Sequence, residues 1–214
     1  MTLRTYLVLF PLFRCAATQN CEYTGCQAGE RVVPVPRIRP WSNGCSVPPF
    51  IQLPDFQFTK CCDLHDTCYM TCGMSKDGCE KAFDKCLKAH CKAAYPGSAD
   101  CTQTADTFVT GVQMFGCQGY LGSQAESCEC VAKDRAPGRF REYVDAFYAA
   151  YNRSKTSDPA ELDGVLQKYA GKEGQLVYQL YRKYPQSIEI ISRNGQDQRT
   201  WKTYLEPSAS DGEL

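Results

Sequence analysis

Apolar residues recur at helical spacing along the last third of the chain, and this pattern predicts three amphipathic helices. The first two apolar faces comprise Phe140, Val144, Phe147, Tyr148 and Tyr151, and then Leu162, Val165, Leu166 and Tyr169. The third comprises Leu176, Val177, Leu180, Tyr181 and Tyr184, and Pro185 ends it. We interpret the three faces as packing surfaces in preference to membrane anchors. The polar residues from 192 to 214 predict a disordered tail.

The middle of the chain has a different pattern, in which cysteines accompany the helical segments. Residues 18–60 are rich in proline and glycine and predict loops. Residues 60–73 and 78–94 predict two cysteine-bearing helices, and Pro96-Gly97 ends the second. A third helix is predicted from about residue 102 to residue 115.

The first 17 residues have the features of a secretory signal. A basic start at Met1-Thr2-Leu3-Arg4 precedes a short apolar run, and small residues follow at Ala16-Ala17. The apolar run is too short to span a bilayer. We therefore expect a signal peptide over residues 1–17 and a secreted protein.

The distribution of cysteines divides the remainder. The chain has 15 cysteines; Cys15 lies in the predicted signal, the other 14 lie between Cys21 and Cys130, and residues 131–214 have none. An even number suits up to seven disulfides in an oxidising compartment. The predicted divisions are a domain over 18–135, a helical extension over 136–191 and the tail.

A zinc site is the alternative interpretation of the cysteines. Cys68-x3-Cys72 or Cys86-x3-His90-Cys91 offers zinc ligands, but the paired C-x2-C clips of zinc modules are missing from both spacings. We therefore favour disulfides.

The charge balance narrows the class of partner. Lys+Arg and Asp+Glu are both 24, so the formal net charge is zero. The sequence has no basic block, which argues against a nucleic-acid partner. A membrane surface would be contacted mainly through apolar side chains.

The spacing of four cysteines predicts a stapled pair of helices. Cys61 and Cys68 are seven residues apart, as are Cys79 and Cys86, and seven residues make roughly 10.5 Å of helix. Two antiparallel helices in one register could therefore be bridged twice, as Cys61–Cys86 and Cys68–Cys79. That arrangement would place His65 and Glu80 on facing surfaces.

The aspartate beside this histidine suggests a hard cation. Ca²⁺ takes six to eight oxygen ligands, commonly carboxylates and backbone carbonyls, and Asp66 offers a carboxylate. The turn Asn43-Gly44-Cys45-Ser46-Val47-Pro48-Pro49 could offer carbonyls, since Gly44 permits unusual dihedral angles. A Cys45–Cys62 bridge would tie this loop beside Asp66.

Two motifs give the chain a family resemblance. Cys-Cys-x-x-His-Asp-x-Cys-Tyr at 61–69 and Cys-acid-x-x-Phe-x-x-Cys-Leu at 79–87 resemble the secreted, calcium-dependent phospholipases A2. The loop at 43–48, with Gly116-Cys117 and Cys128-x-Cys130, resembles their group XII branch. The resemblance covers roughly residues 20–131. It implies a mainly α, disulfide-rich fold with two antiparallel cysteine-stapled helices and a calcium-binding loop, to which the helical extension is unrelated.

The resemblance implies roles for the histidine and its neighbours. His65 matches the general base that draws a proton from water, which attacks the sn-2 ester of a glycerophospholipid. Glu80 matches the carboxylate that orients the imidazole, although aspartate is usual there in animal members. Tyr69 matches a tyrosine that supports this carboxylate. Asp84, one turn after Glu80, is a fallback for the orienting role.

The resemblance also implies a calcium site and a partner. Asp66 and the carbonyls of Gly44, Ser46 and Pro48 match the ligands of Ca²⁺. The expected products are a fatty acid and a lysophospholipid, the partner is a phospholipid membrane surface, and the protein is expected to be a monomer. The alternative is a non-catalytic phospholipid- or receptor-binding module on the same scaffold. The ER lumen is a second possible location, since the terminal Asp-Gly-Glu-Leu is distantly similar to a retention signal.

Overall fold

The computed structural model describes residues 21–36, 38–47, 51–156 and 159–191. The predicted signal peptide, the predicted tail and the expected calcium ligand Pro48 lie outside the described residues. Within them the protein is mainly α-helical and rich in disulfides, which confirms the predicted fold class. No helix among the residues described has the length and apolar character needed to cross a membrane.

Seven α-helices and four short strands make up the described fold. The helices are α1 (Thr59–Tyr69), α2 (Lys76–Ala94), α3 (Ala99–Phe115), α4 (Cys117–Ser127), α5 (Ala136–Tyr151), α6 (Pro159–Lys168) and α7 (Glu173–Lys183). The strands are β1 (Glu30–Pro34), β2 (Trp41–Ser42), β3 (Cys128–Ala132) and β4 (Glu189–Ile190). Two 3₁₀ turns, Arg153–Thr156 and Pro185–Ser187, follow α5 and α7.

Serine caps set the starts of two helices. The Ser75 hydroxyl accepts a hydrogen bond from Gly78 N at 3.1 Å, and the Ser98 hydroxyl accepts one from Cys101 N at 3.2 Å. These contacts satisfy backbone donors that a helix leaves unpaired in its first turn. The helices α2 and α3 therefore start two to three residues before the positions predicted from the sequence.

All 14 cysteines in the described part of the chain form disulfides. The pairs are Cys21–Cys117, Cys26–Cys130, Cys45–Cys62, Cys61–Cys86, Cys68–Cys79, Cys72–Cys128 and Cys91–Cys101. Three of them are the pairs expected from the sequence. Every cysteine of the alternative zinc motifs is bridged, so none offers the thiolate that zinc requires.

The extension after residue 135 packs on the disulfide-rich part. Its helices bury one apolar cluster, in which Val144 and Val177 are fully buried. The strand β4 pairs in parallel with β2, and α7 packs on α1. The division at residue 135 stays a prediction, and α5 begins next to it at Ala136.

Candidate functional site

The helices α1 and α2 lie antiparallel because two disulfides join them in one register. Cys61 near the start of α1 bridges Cys86 with a Cα–Cα distance of 5.7 Å. Cys68 near its end bridges Cys79 at the start of α2 with a distance of 5.6 Å. His65 lies midway between the two bridges, so its backbone position is fixed on both sides.

The His65 ring is buried between aromatic rings. Its centroid lies 4.2 Å from the Tyr69 ring and 4.6 Å from the Phe83 ring, and the residue is 6% exposed. Burial, and to a smaller degree the charge of Lys76, lowers the pKa of His65 to about 4. The imidazole is therefore neutral at neutral pH, which is the form that a base requires.

One nitrogen of this imidazole has no partner. Nε2 of His65 is buried and has no hydrogen bond to any described residue. The expected orienting residue, Glu80, is directed elsewhere: its Oε1 accepts a hydrogen bond from the Tyr69 hydroxyl at 3.2 Å and forms an ion pair with Lys76. The contact between Tyr69 and this carboxylate is thus present, whereas the contact between the carboxylate and the imidazole is not.

Lys76 explains this orientation. It lies one turn before Glu80 on α2, and its Nζ also donates to the carbonyls of Val112 at 3.0 Å and Gln113 at 3.3 Å. These contacts direct the ammonium group towards Glu80, which is itself 8% exposed. The fallback residue Asp84 pairs with Lys88 at 2.7 Å on the same helix.

Asp66 lies beside the loop that was expected to bind calcium. Its Oδ2 accepts hydrogen bonds from the Ser42 hydroxyl at 3.0 Å and from Asn43 N at 3.3 Å. Gly44 has a φ of +80°, a conformation that glycine adopts without strain. The Cys45–Cys62 bridge, with a Cα–Cα distance of 5.0 Å, ties the loop to α1.

Ser42 connects this loop to a second carboxylate. The serine is fully buried, and its hydroxyl contacts both Asp66 and Asp63. Asp63 is also buried, with 1% exposure. Neither Ser42 nor Asp63 was predicted as a site residue, because Ser42 lies just before the loop motif and Asp63 occupies an unspecified position of the histidine motif. Lys76 could have been suspected from its spacing of four residues before Glu80.

The base candidate and the loop line one cavity of about 280 Å³. The polar residues that line it include Asn43, Gly44, Ser46, His65, Asp66 and Tyr69, and the apolar ones include Trp41, Phe83, Phe108, Val112 and Phe115. A carboxylate and a carbonyl-bearing loop are the hard oxygen donors that Ca²⁺ prefers. In kind, these donors fit the ion. The cavity can therefore bring together a base, a cation and an apolar chain.

Comparisons with known proteins find relatives of the disulfide-rich part of the chain. The family model described as "Group XII secretory phospholipase A2 precursor" matches residues 13–137. A protein named group XIIA secretory phospholipase A2 is 35% identical in Mus musculus over 122 residues, which are 51% of this chain and 62% of the relative. The protein of the same name in Homo sapiens is 34% identical, with 51% and 63% covered.

A third relative has a different name. A group XIIB secretory phospholipase A2-like protein from Mus musculus is 32% identical over 130 residues, which are 54% of this chain and 66% of the relative. The chain thus spans somewhat less than two thirds of the length of these relatives. No solved structure matches the chain.

Proposed function

Because the chain belongs to the group XII secretory phospholipase A2 family, we propose that it hydrolyses the sn-2 ester of glycerophospholipids in a Ca²⁺-dependent reaction. The products are a fatty acid and a lysophospholipid. The observation that carries the proposal is the shared cavity, which is lined both by a neutral, buried imidazole and by the residues of a loop that offers oxygen donors.

His65 acts as the general base in this proposal. Its Nε2 is buried, and we therefore assign the transfer of a proton from water to Nδ1. The rings of Tyr69 and Phe83 restrict the orientation of the imidazole. A positioned base of this kind contributes typically 10²- to 10⁴-fold to a rate.

The loop and Asp66 hold the cation. Asp66 supplies a carboxylate oxygen, and Gly44, Ser46 and Pro48 supply backbone carbonyls. When bound, Ca²⁺ supplies positive charge for the substrate phosphate and for the oxyanion that develops at the ester carbonyl. The apolar side chains that line the cavity receive the acyl chain and exclude water from it.

The protein meets its substrate at a phospholipid surface as a secreted monomer. Met114 and Phe115, at the end of α3, are 67% and 77% exposed, and Phe115 also lines the cavity. With a net charge of zero, apolar side chains of this kind supply the surface attraction. The predicted signal over residues 1–17 and the seven disulfides support entry into the secretory pathway.

The alternative function is a non-catalytic phospholipid- or receptor-binding module. The observation that favours it is the orientation of Glu80, which pairs with Lys76 and leaves Nε2 of His65 without a partner among the described residues. In this case the cavity would bind Ca²⁺ and phospholipid without hydrolysis.

The test uses vesicles whose phospholipid carries a labelled sn-2 chain. We expect release of labelled fatty acid that requires Ca²⁺, stops in EDTA and is lost in His65→Gln. His90→Gln is the matched control, because His90 lies outside the cavity and contacts the Phe56 carbonyl. Undiminished hydrolysis in His65→Gln would contradict the assignment of the base. Binding of Ca²⁺ and vesicles without any release of fatty acid would favour the binding module.

A further inference from the structure

We propose that the C-terminal extension, α5 to β4, is an intramolecular clamp that holds the calcium loop in its binding conformation. The inference rests on the proposed function, since it assigns the extension to the same cation site. It gives the extension a role in the chemistry of the cavity that neither the motifs nor the family match supplies.

The first observation is the pairing of β4 with the strand that leads into the loop. Glu189 N donates to Pro40 O and Ile191 N donates to Ser42 O, both at 2.8 Å. In the described part of the chain β4 is the strand neighbour of β2, and the pair forms a two-stranded sheet. These two hydrogen bonds fix the backbone immediately before Asn43.

The second observation connects that backbone to the cation ligand. The Ser42 hydroxyl contacts Asp66 Oδ2 at 3.0 Å, and Asn43 N donates to the same oxygen at 3.3 Å. Gly44 N donates to the Ser42 hydroxyl at 3.4 Å. A shift of Ser42 would therefore move the turn and the carboxylate together.

The third observation is that the residues just before β4 are held both by Arg39 and by the core of the extension. Arg39 donates to Ser187 O at 3.2 Å and to Gln186 O at 2.9 Å, just before β4. Ile188, adjacent to β4, is 4% exposed and belongs to the apolar cluster of the extension. The position of this strand is thus set by the core of the extension.

The extension also contacts α1 and the turn that follows it. The Tyr178 hydroxyl donates to Leu64 O at 3.4 Å, beside His65. Gly174 approaches the backbone of Gly73 so closely that an added Cβ would lie 2.6 Å from the Gly73 carbonyl carbon. The apolar faces of α5 and α7 are buried in this arrangement, so they are not available as membrane anchors.

The test compares proline and alanine at one position of the full-length protein. Ile191→Pro removes the N–H that Ser42 O accepts, whereas Ile191→Ala keeps it, and Ile191 itself is 41% exposed. Glu189→Pro and Glu189→Ala form a second matched pair. Binding of Ca²⁺ alone is measured by calorimetry, and hydrogen exchange of the Asn43 and Gly44 amides is measured in the metal-free protein.

We expect the proline variants to bind Ca²⁺ about tenfold more weakly than the alanine variants, since a hydrogen bond of this kind contributes about that factor. We also expect their Asn43 and Gly44 amides to exchange faster. Equal affinity and equal exchange in proline and alanine variants would overturn the clamp.

The test still decides the clamp if the unaltered protein binds no Ca²⁺ or if the proline variants do not fold. If the unaltered protein binds no Ca²⁺, the proposed function fails, whereas the exchange comparison still decides the clamp. If the proline variants do not fold, Arg39→Ala replaces them, with Lys81→Ala as its control because Lys81 pairs with Asp77 at the surface of α2 and does not contact the extension. We then expect weaker Ca²⁺ binding in Arg39→Ala alone, and equal affinities in the two would overturn the inference.

Discussion

Separating the ion pair between Lys76 and Glu80 should destabilise the fold strongly, because both charges are buried. The side chain of Lys76 is 9% exposed and that of Glu80 is 10% exposed. Lys76→Met leaves a carboxylate that retains the hydrogen bond from Tyr69, and Glu80→Gln leaves an ammonium group with two carbonyl partners. Removing one partner of a buried pair typically costs about 3–5 kcal/mol.

The double variant should recover much of this loss. With both charges gone, the remaining cost is that of the carbonyls of Val112 and Gln113, which lose their donor at about 1 kcal/mol each. Two single losses of about 3 kcal/mol and a double loss of about 2 kcal/mol imply a coupling of about 4 kcal/mol.

The assay is urea unfolding of the four proteins with their disulfides intact. Asp77 and Lys81 provide a matched control, since they form an ion pair with the same spacing on the same helix but are 75% and 76% exposed. Their coupling should not exceed about 0.5 kcal/mol. Additive losses for Lys76 and Glu80, with coupling as small as in the control pair, would refute the reasoning.

Three further outcomes follow from burial and exposure. As the pH falls from 6.5 to 4, the free energy of unfolding of the metal-free protein should fall by about 2.5 kcal/mol more than that of His65→Gln. The reason is that unfolded His65 binds a proton at its ordinary pKa, whereas burial lowers the pKa of the folded ring to about 4; equal pH dependence in both proteins would contradict this. Gly174→Ala should lower the free energy of unfolding by about 1–3 kcal/mol, because its Cβ would clash with the Gly73 backbone. Gly164→Ala, with open space around the added Cβ, should not destabilise the protein, and urea midpoints compare the two variants. Phe115→Ala should weaken adsorption to vesicles about tenfold, measured by sedimentation, since the exposed ring buries apolar area in the surface; unchanged adsorption would remove Phe115 from the membrane contact.

The helix pair was predictable because its determinants are local and periodic. Seven-residue spacings of cysteines specify a register directly, and the bridges Cys61–Cys86 and Cys68–Cys79 follow it. The apolar faces of the extension were predictable for the same reason, and 11 residues of the extension form one buried cluster.

The helix α4 could not be predicted in this way, because two of its three buried residues, Gln124 and Ser127, are polar. Gln124 is 1% exposed, accepts a hydrogen bond from Gly73 N and donates to the carbonyls of Tyr69 and Thr71. A side chain that satisfies three backbone groups of a distant turn does not produce an apolar period. The pairing of β1 with β3 was equally hidden, since it joins residues about a hundred positions apart.

The candidate site shows the same division between residue type and partner. The motifs identified His65, Asp66 and Glu80 by type and spacing, and the cavity brings the first two together. Glu80 pairs instead with Lys76, whose ammonium group also donates to carbonyls at the end of α3. The spacing of Lys76 and Glu80 is local, but the contacts with those carbonyls need the packing of α2 on α3, which no local pattern in the sequence specifies.

A loop that offers backbone carbonyls to a cation must be fixed at more than one point, because each free residue costs ordering entropy on binding. The Cys45–Cys62 bridge fixes one point, and the hydrogen bonds from β4 fix the residues just before the loop. The two constraints differ in kind, since the disulfide is covalent while β4 stays in place only as long as the extension is folded. A destabilising change in the core of the extension, for instance at Val177, should therefore leave Ca²⁺ affinity unaltered until the opened extension becomes a substantial fraction of the population. A change at Ile191 acts on the loop directly and needs no such threshold, so the two classes of variant separate the stability of the clamp from its contact with the loop.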